Sequence, residues 1–275
     1  MSPLSHRRQA ARDPVIAREA AELSLAEALG IAGGDAVALV GGGGKTTAMF
    51  RLAREIVGHG GSALTTTTTR IFAAQIALAP AHVIAADATR ERIEEALGHH
   101  RQVLVVGNMD DGGGRAAGVS LDLFTSLRAW CPQTVLLNEA DGSRMRPFKA
   151  PADHEPVIPV ETTVVVPVVG ADIFGKPLDA EHVHRPERVG ALTGASPGAA
   201  ITPEIVARLL AHPEGGRRGV PAHARIVVLV NKAEMLTDLG PARETAERLL
   251  REPAIDSVVL ATVRRDWPVL AVCRR

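Results

Sequence analysis

The sequence predicts a three-layer α/β/α fold on a mostly parallel sheet, and three observations carry that prediction. Apolar, β-branched runs recur at residues 36–40, 102–106, 134–138, 162–169 and 226–230. Stretches with the 3.6-residue apolar period of helices alternate with them, the pattern of successive βαβ units. With 275 residues the chain is long enough to bury a sizeable core. Residues 1–22 are polar, with charges of both signs, and read as a loosely held arm. No internal repeat or linker divides residues 23–275, so a single domain is expected there.

The composition narrows the function classes. Hydrophobic residues are 46% of the chain and charged residues 23%, as in ordinary globular proteins. Lys+Arg and Asp+Glu balance at 31 each, so no global field favours nucleic acid or an anionic membrane. Cys131 and Cys273 are far apart and in no ligand-like spacing. No disulfide framework is expected, and a reducing cytoplasm fits the chain. The basic start, Met1 to Arg8, leads into no apolar stretch and is not read as a secretory signal. No apolar run is long enough to span a bilayer.

In order, Ser24-x-x-Glu27 reads as a capping box opening a short helix that ends at Gly30. A strand at 36–40 follows, then Gly41-Gly42-Gly43-Gly44-Lys45-Thr46-Thr47. The next helix, 45–57, buries Met49, Phe50, Leu52, Ala53, Ile56 and Val57, and His59-Gly60-Gly61 stops it. Strand, glycine loop and helix in that order are the context of a phosphate-binding loop, so the fold is predicted to be P-loop NTPase-like. Consecutive glycines let backbone N–H groups approach an anion. The helix start adds its own unpaired N–H groups and positive dipole end. Lys45 is expected to reach the β- and γ-phosphates, with the Thr46 hydroxyl on Mg²⁺. The usual spacing is shortened here to Gly-x-x-Gly-Lys-Thr, which resembles the phosphate loop of the Mur ligases.

Residues 62–69 carry five threonines, β-branched yet polar, followed by Arg70. They read as a strand leaving the core: either their hydroxyls, Thr67 among them, face the metal and terminal phosphate, or the segment is a solvated strand end. Strands at 82–86 and 102–106 flank a helix at 88–97 that Gly98 closes. The glycine-rich turn at 111–115 reads as a mobile surface loop, and a helix at 121–130 leads to the next informative run. Residues 134–142 form a buried strand delivering Glu139 and Asp141 at its carboxyl end. Ligands sit at that end of parallel sheets, and phosphate-loop enzymes hold Mg²⁺ there with an acid. Glu139-x-x-Gly142 also mimics, with Glu for Asp, a switch element whose Gly142 amide senses a γ-phosphate.

Residues 144–159 hold four prolines, which exclude regular helix and stiffen the segment. Lys149, Asp153, His154 and Glu155 on this loop are candidates to meet a substrate or partner. His154 with His182 and His184 suggests a metal site, although the spacing suits ordinary hydrogen-bonded histidines better. A strand at 162–169 and a helix from about 186 to 194 follow, then a Thr202-Pro203-Glu204 cap with a helix to about 210. The strand at 226–230 ends in Asn231-Lys232-Ala233-Glu234, which resembles the guanine-reading Asn-Lys-x-Asp of GTP-binding proteins, with Glu for Asp. The nucleotide is thus expected to be GTP over ATP. A helix at 241–250 and a strand at 257–261 complete the pattern, with Cys273-Arg274-Arg275 as tail.

Taken together, Gly41 to Thr47, the threonine run, Glu139-Ala140-Asp141-Gly142-Ser143, Lys149-Ala150-Pro151…His154-Glu155-Pro156 and Asn231-Lys232 resemble the YqeC family over about residues 25 to 265. The resemblance implies an accessory role toward selenium-dependent molybdenum hydroxylases or their selenium cofactor. It establishes no reaction. The residues themselves point to a Mg²⁺-dependent NTPase, with a kinase- or ligase-type small-molecule transferase and a non-hydrolysing nucleotide-gated binding module as the other readings.

Overall fold

The computed structural model describes residues 22–110 and 112–275. The arm expected over 1–22 lies outside the described residues except for Glu22, as does Asp111 of the glycine-rich turn. In chain order the elements are α1 (Leu25–Ala28), β1 (Ala36–Gly41), α2 (Lys45–Gly58), β2 (Ala63–Thr67), β3 (Ile71–Phe72), α3 (Ala73–Ile76), β4 (His82–Ile84), α4 (Arg90–His100), β5 (Gln102–Val106), β6 (Arg115–Ala116) and α5 (Leu121–Trp130). They continue as β7 (Val135–Glu139), β8 (Phe148–Lys149), β9 (Val164–Gly170), β10 (Val183–His184), α6 (Pro186–Thr193), α7 (Pro203–Ala211), β11 (Arg225–Asn231), α8 (Gly240–Leu249), β12 (Ser257–Ala261) and β13 (Val269–Arg274).

Nine strands form one sheet in the order β13-β12-β11-β9-β1-β7-β2-β5-β4. All pairings are parallel except β12 with β13. Every residue of β2, β5, β9 and β12 is buried, which is why β5, β9 and β12 read as largely apolar runs; β2 buries threonines instead. Alternate residues feed opposite layers. Val227 and Leu229 of β11 join the core under α1 and α2, whereas Ile226, Val228 and Val230 join the core under α7 and α8. On that second face α4 and α5 cover β2 and β5 through Ile93, Phe124 and Leu127. Each fully buried Leu, Ile or Phe contributes about 1.5–3 kcal/mol, so these clusters fix the frame that the loops decorate.

Local signals set the helix ends. Ser24 and Glu27 make the reciprocal bonds of a capping box, and Thr202 caps α7 with Pro203 at its first position. Lys45, Ala48, Met49 and Leu52, at helical spacing, are all buried on α2. Three expectations need correction. Gly98 lies inside α4, which runs to His100 and ends on Arg101 in the left-handed region. Residues 273–275 are not a tail: Cys273 is buried in β13, opposite Val258. Nor is the threonine strand solvated. Thr65, Thr66 and Thr67 are buried, and their hydroxyls donate to the carbonyls of Val103, Val105 and Glu139. They stitch β2 to its neighbours.

β1 stands at the middle of the sheet. From it the chain passes over β7 to reach β2 on one side, while β9, β11 and β12 line up on the other. Its carboxyl end is therefore a topological switch point, where open α/β sheets leave a crevice for ligand. Two short pairs hold loops near this crevice: β3 with β6, and β8 with β10.

Candidate functional site

The loop between β1 and α2 is shaped by close backbone approach. Gly41 has φ +91°, and a Cβ there would stand 2.4 Å from the Val168 carbonyl oxygen. Gly43, at φ +78°, would place one 2.1 Å from the Gly170 nitrogen. The amides divide into two groups. Gly41 N–H donates to Asp141, Gly42 N–H to Val168 O and Gly43 N–H to Arg146 O. These three hold the loop itself, so the glycines serve less as donors to an anion than as the means of folding it. Among the described residues, the amides of Gly44, Lys45, Thr46 and Thr47 take no acceptor, and α2 carries no side-chain cap. Unpaired N–H groups at a helix start favour an anion.

A line of charges leads away from these amides. Lys45, 3% exposed, donates to Gly41 O at 2.7 Å and lies 3.2 Å from Asp141 and 3.6 Å from Glu139. Burial opposes its charge, but the two carboxylates outweigh burial and raise its pKa. The Thr46 hydroxyl donates to Glu139 at 2.6 Å, setting side by side two oxygen donors suited to a hard divalent cation. Asp141, 1% exposed, also meets Lys149 at 2.9 Å. Lys149 continues to Glu155 at 2.8 Å and to Gly142 O at 2.7 Å, and Arg185 closes on Glu155 at 2.9 Å. Burial works against the Glu155 charge, yet Lys149 and Arg185 hold its carboxyl down at about 2.

On the other flank, the Asn231 amide donates to Gly43 O at 2.8 Å and its carbonyl accepts from Val263 N–H at 3.1 Å. Lys232 pairs with Asp172 at 2.7 Å, and Glu234 is exposed. A cleft of about 510 Å³ opens here, lined by residues 43–47, Glu139, Glu155, Lys232 and Arg264, by Thr69, Arg70, Phe72, Gln75 and Arg115, and by residues 142–146.

Residues 37–187 match the family model described as "YqeC protein", a span holding the glycine loop, Glu139 to Gly142 and the Lys149 to Glu155 segment. The chain belongs to the YqeC family. It is 30% identical over 203 residues to "Uncharacterized protein YqeC" of Escherichia coli (strain K12), across 71% of this chain and 75% of that one. Among solved structures it resembles the hydrogenase maturation factor HypB from Archaeoglobus fulgidus, with TM-score 0.38, 14% identity and 86% of each chain covered. It also resembles FtsY from Mycoplasma mycoides, with TM-score 0.37, 14% identity, and 86% of this chain and 63% of that one covered. Asn231 to Glu234 lie outside the span of the family match.

In this YqeC chain the predicted site residues do not all meet. Gly43, Gly44, Lys45, Thr46, Thr47, Glu139, Gly142, Lys232, Arg70 and Glu155 line the cleft. Asp141 and Lys149 are buried beneath it, and Thr67 does not reach it. Of the four residues expected to meet a partner, only Asp153 and His154 are exposed. Asp153 pairs with Arg188, while His154 lies 4.0 Å from Glu155. His182 bonds Asp179, and among the described residues no three His, Cys, Asp or Glu side chains are grouped to hold a metal. Arg115, Arg144, Arg146, Arg264 and Asp172 went unread in the sequence. The one visible signal was the Arg144-Met145-Arg146-Pro147 run directly after the Glu139 to Ser143 block.

His184 gives a pH prediction. Burial first, then the charges of Arg185, Lys149 and Arg144, lower its pKa from 6.5 to about 4. The folded chain keeps this histidine neutral while the unfolded chain protonates it, so stability present above pH 6.5 is lost as pH falls toward 4. Glu155 acts lower: its ionised form favours the fold above pH 4.5, and that contribution fades toward pH 2. In melting curves taken against pH, His184→Gln is expected to flatten the fall between 6.5 and 4 and spare the lower one. An unchanged upper limb would contradict the assignment.

Proposed function

We propose that the protein binds Mg-NTP on the loop between β1 and α2 and hydrolyses it while serving the maturation of selenium-dependent molybdenum hydroxylases or their selenium cofactor. The observation that carries the nucleotide half is the set of four unpartnered amides at residues 44–47 beside the Thr46 and Glu139 oxygens. A loop that only a chain without Cβ atoms can fold, ending in free N–H groups, fits a phosphate. Lys45 supplies the cation for the β- and γ-phosphates, exchanging the Gly41 carbonyl and Asp141 for phosphate oxygens. Thr46 and Glu139 would hold Mg²⁺. Asp141 orients Lys45 and the Gly41 amide, so Glu139 rather than Asp141 is the metal-side acid. Bound Mg²⁺ would neutralise charge on the transferring phosphoryl oxygens.

GTP over ATP is the finer reading. Asn231 already bonds the loop and Val263, so base choice rests on Glu234, whose exposed carboxylate can accept from guanine. The hydroxylase half rests on the family alone.

Lys45→Ala is expected to weaken Mg-NTP at least about tenfold, since a charge-assisted phosphate bond contributes roughly 1.5–3 kcal/mol. Titrating wild type and variant with Mg-GTP and Mg-ATP measures it. Unchanged affinity in folded variant protein removes the phosphate reading, and equal affinity for both nucleotides removes the guanine reading. In a deletion strain, hydroxylase activity should return with the wild-type gene and not with the variant. Full rescue by Lys45→Ala would separate nucleotide binding from maturation.

A further inference from the structure

We infer that the β2 end of the cleft is a second subsite, for a small molecule carrying a phosphate group, occupied beside the nucleotide rather than in its place. The inference rests on the nucleotide reading for where the first anion sits. Five arginines line the cleft: Arg70, Arg115, Arg144, Arg146 and Arg264. Among the described residues, its two lining carboxylates are engaged, Glu139 by Thr46 and Lys45, Glu155 by Lys149 and Arg185. Among the described residues, the side chains of Arg70, Arg144, Arg146 and Arg264 have no acceptor. Elsewhere arginines such as Arg51, Arg188 and Arg248 pair with acids. Lys45 and a metal ion already face one triphosphate, so the remaining guanidinium groups exceed what a single Mg-nucleotide needs.

The topology separates two ends. Lys232 follows β11 and Arg70 follows β2, four strand positions apart across β9, β1 and β7, or about 19 Å at the usual strand spacing. A nucleotide seated after β1 with its base toward Glu234 points its terminal phosphate at the β2 end. Thr69, Arg70, Phe72, Gln75 and Arg115 therefore stand beyond that phosphate, where an acceptor or effector would lie.

This end is built rather than loose. Phe72 and Arg115 face each other across the antiparallel pair of β3 and β6, and the guanidinium sits 4.5 Å from the ring centre. Stacking on the ring fixes the plane of Arg115 and leaves its N–H edge to meet oxygen. The Asp110 carboxylate accepts from Gly114 N–H and Arg115 N–H at 2.9 and 3.1 Å, which anchors the turn carrying that arginine. Arg144 and Met145 have φ of +50° and +62°, a backbone that side chains rarely adopt and that functional sites retain. Planar guanidinium forks match the oxygens of phosphate in pairs, and Thr69 and Gln75 add neutral partners.

The test uses the full chain saturated with Mg²⁺ and a non-hydrolysable GTP analogue, titrated calorimetrically with pyrophosphate. Pyrophosphate is expected to bind with the analogue in place. Arg70→Ala and Arg115→Ala should each weaken it about tenfold while changing analogue affinity less than about threefold. Both residues are exposed, so the variants should fold. Binding only by displacing the analogue overturns the subsite, as do variants with unchanged pyrophosphate affinity. Succinate binding as tightly as pyrophosphate overturns the phosphate assignment. Failure of the nucleotide reading looks different: the analogue does not bind, while Lys45→Ala protein still takes pyrophosphate and loses it on adding Arg70→Ala.

Discussion

Replacing Lys149 by alanine is expected to destabilise the protein by about 3 kcal/mol, at the lower end of the cost of breaking a buried ion pair. Lys149 is 4% exposed and its ammonium touches Asp141, Glu155 and the Gly142 carbonyl, all within 2.9 Å. Alanine leaves the buried Asp141 and the partly buried Glu155 without the cation between them. The loss stays moderate because Asp141 keeps Lys45 and the Gly41 amide, and Glu155 keeps Arg185. For a chain of this size the shift corresponds to a melting temperature lower by roughly 6–12 °C. Lys149→Met refills the volume without the charge and should cost a similar amount, which assigns the effect to charge. Urea unfolding of the three proteins measures it. A Lys149→Ala protein within 1 kcal/mol of wild type would mean that this ion chain adds nothing to the fold.

Lys149 also shows where the sequence stops speaking. The Lys-Ala-Pro and His-Glu-Pro blocks were legible as a motif, and a stiff proline-bearing loop beside the acidic strand was the right local reading. Which side chains point inward was not legible, because the short pair of β8 with β10 decides it, and a two-residue strand leaves no period to read. The loop thus splits: Lys149 and Glu155 turn into the ion chain, and Asp153 and His154 face out. The strands of the sheet were readable for the opposite reason. Burial on both faces writes itself as runs of Val, Leu and Ile, unbroken over residues 226–230 of β11 and interrupted in β9 by Pro167. The threonines of β2 misled because β-branched polar residues suit both a wet strand end and a buried strand whose hydroxyls find carbonyls. The glycine loop was legible in kind but not in use, since Gly42 and Gly43 spend their amides on Val168 and Arg146. That division follows from β9 and the 144–147 run closing on the loop, contacts more than a hundred residues away in sequence.

Gly43→Ala is the other large effect expected, on stability and on nucleotide binding together. Gly43 is where four segments converge. Its N–H reaches Arg146 O, its carbonyl accepts the Asn231 amide, and its Cα faces Gly170 at the end of β9. A methyl group there would stand 2.1 Å from the Gly170 nitrogen and 2.6 Å from its Cα, both backbone atoms that cannot swing aside. The left-handed φ of +78° adds about 1–2 kcal/mol for a residue with a Cβ, and overpacking typically about 1–3 kcal/mol. A loss of about 3 kcal/mol or more is therefore expected. Relief of the clash must move the loop away from β9, and the amides of residues 44–47 move with it, so Mg-NTP affinity should fall at least about tenfold. Gly142→Ala, after β7 in the same cleft lining, is the control: apart from its chain neighbours, no heavy atom lies within 4 Å of a Cβ there, and stability should stay within about 0.5 kcal/mol of wild type. Equal melting temperatures for the two variants would contradict the close approach of the loop to β9. A Gly43→Ala protein that melts lower yet binds Mg-NTP like wild type would detach the loop geometry from phosphate binding.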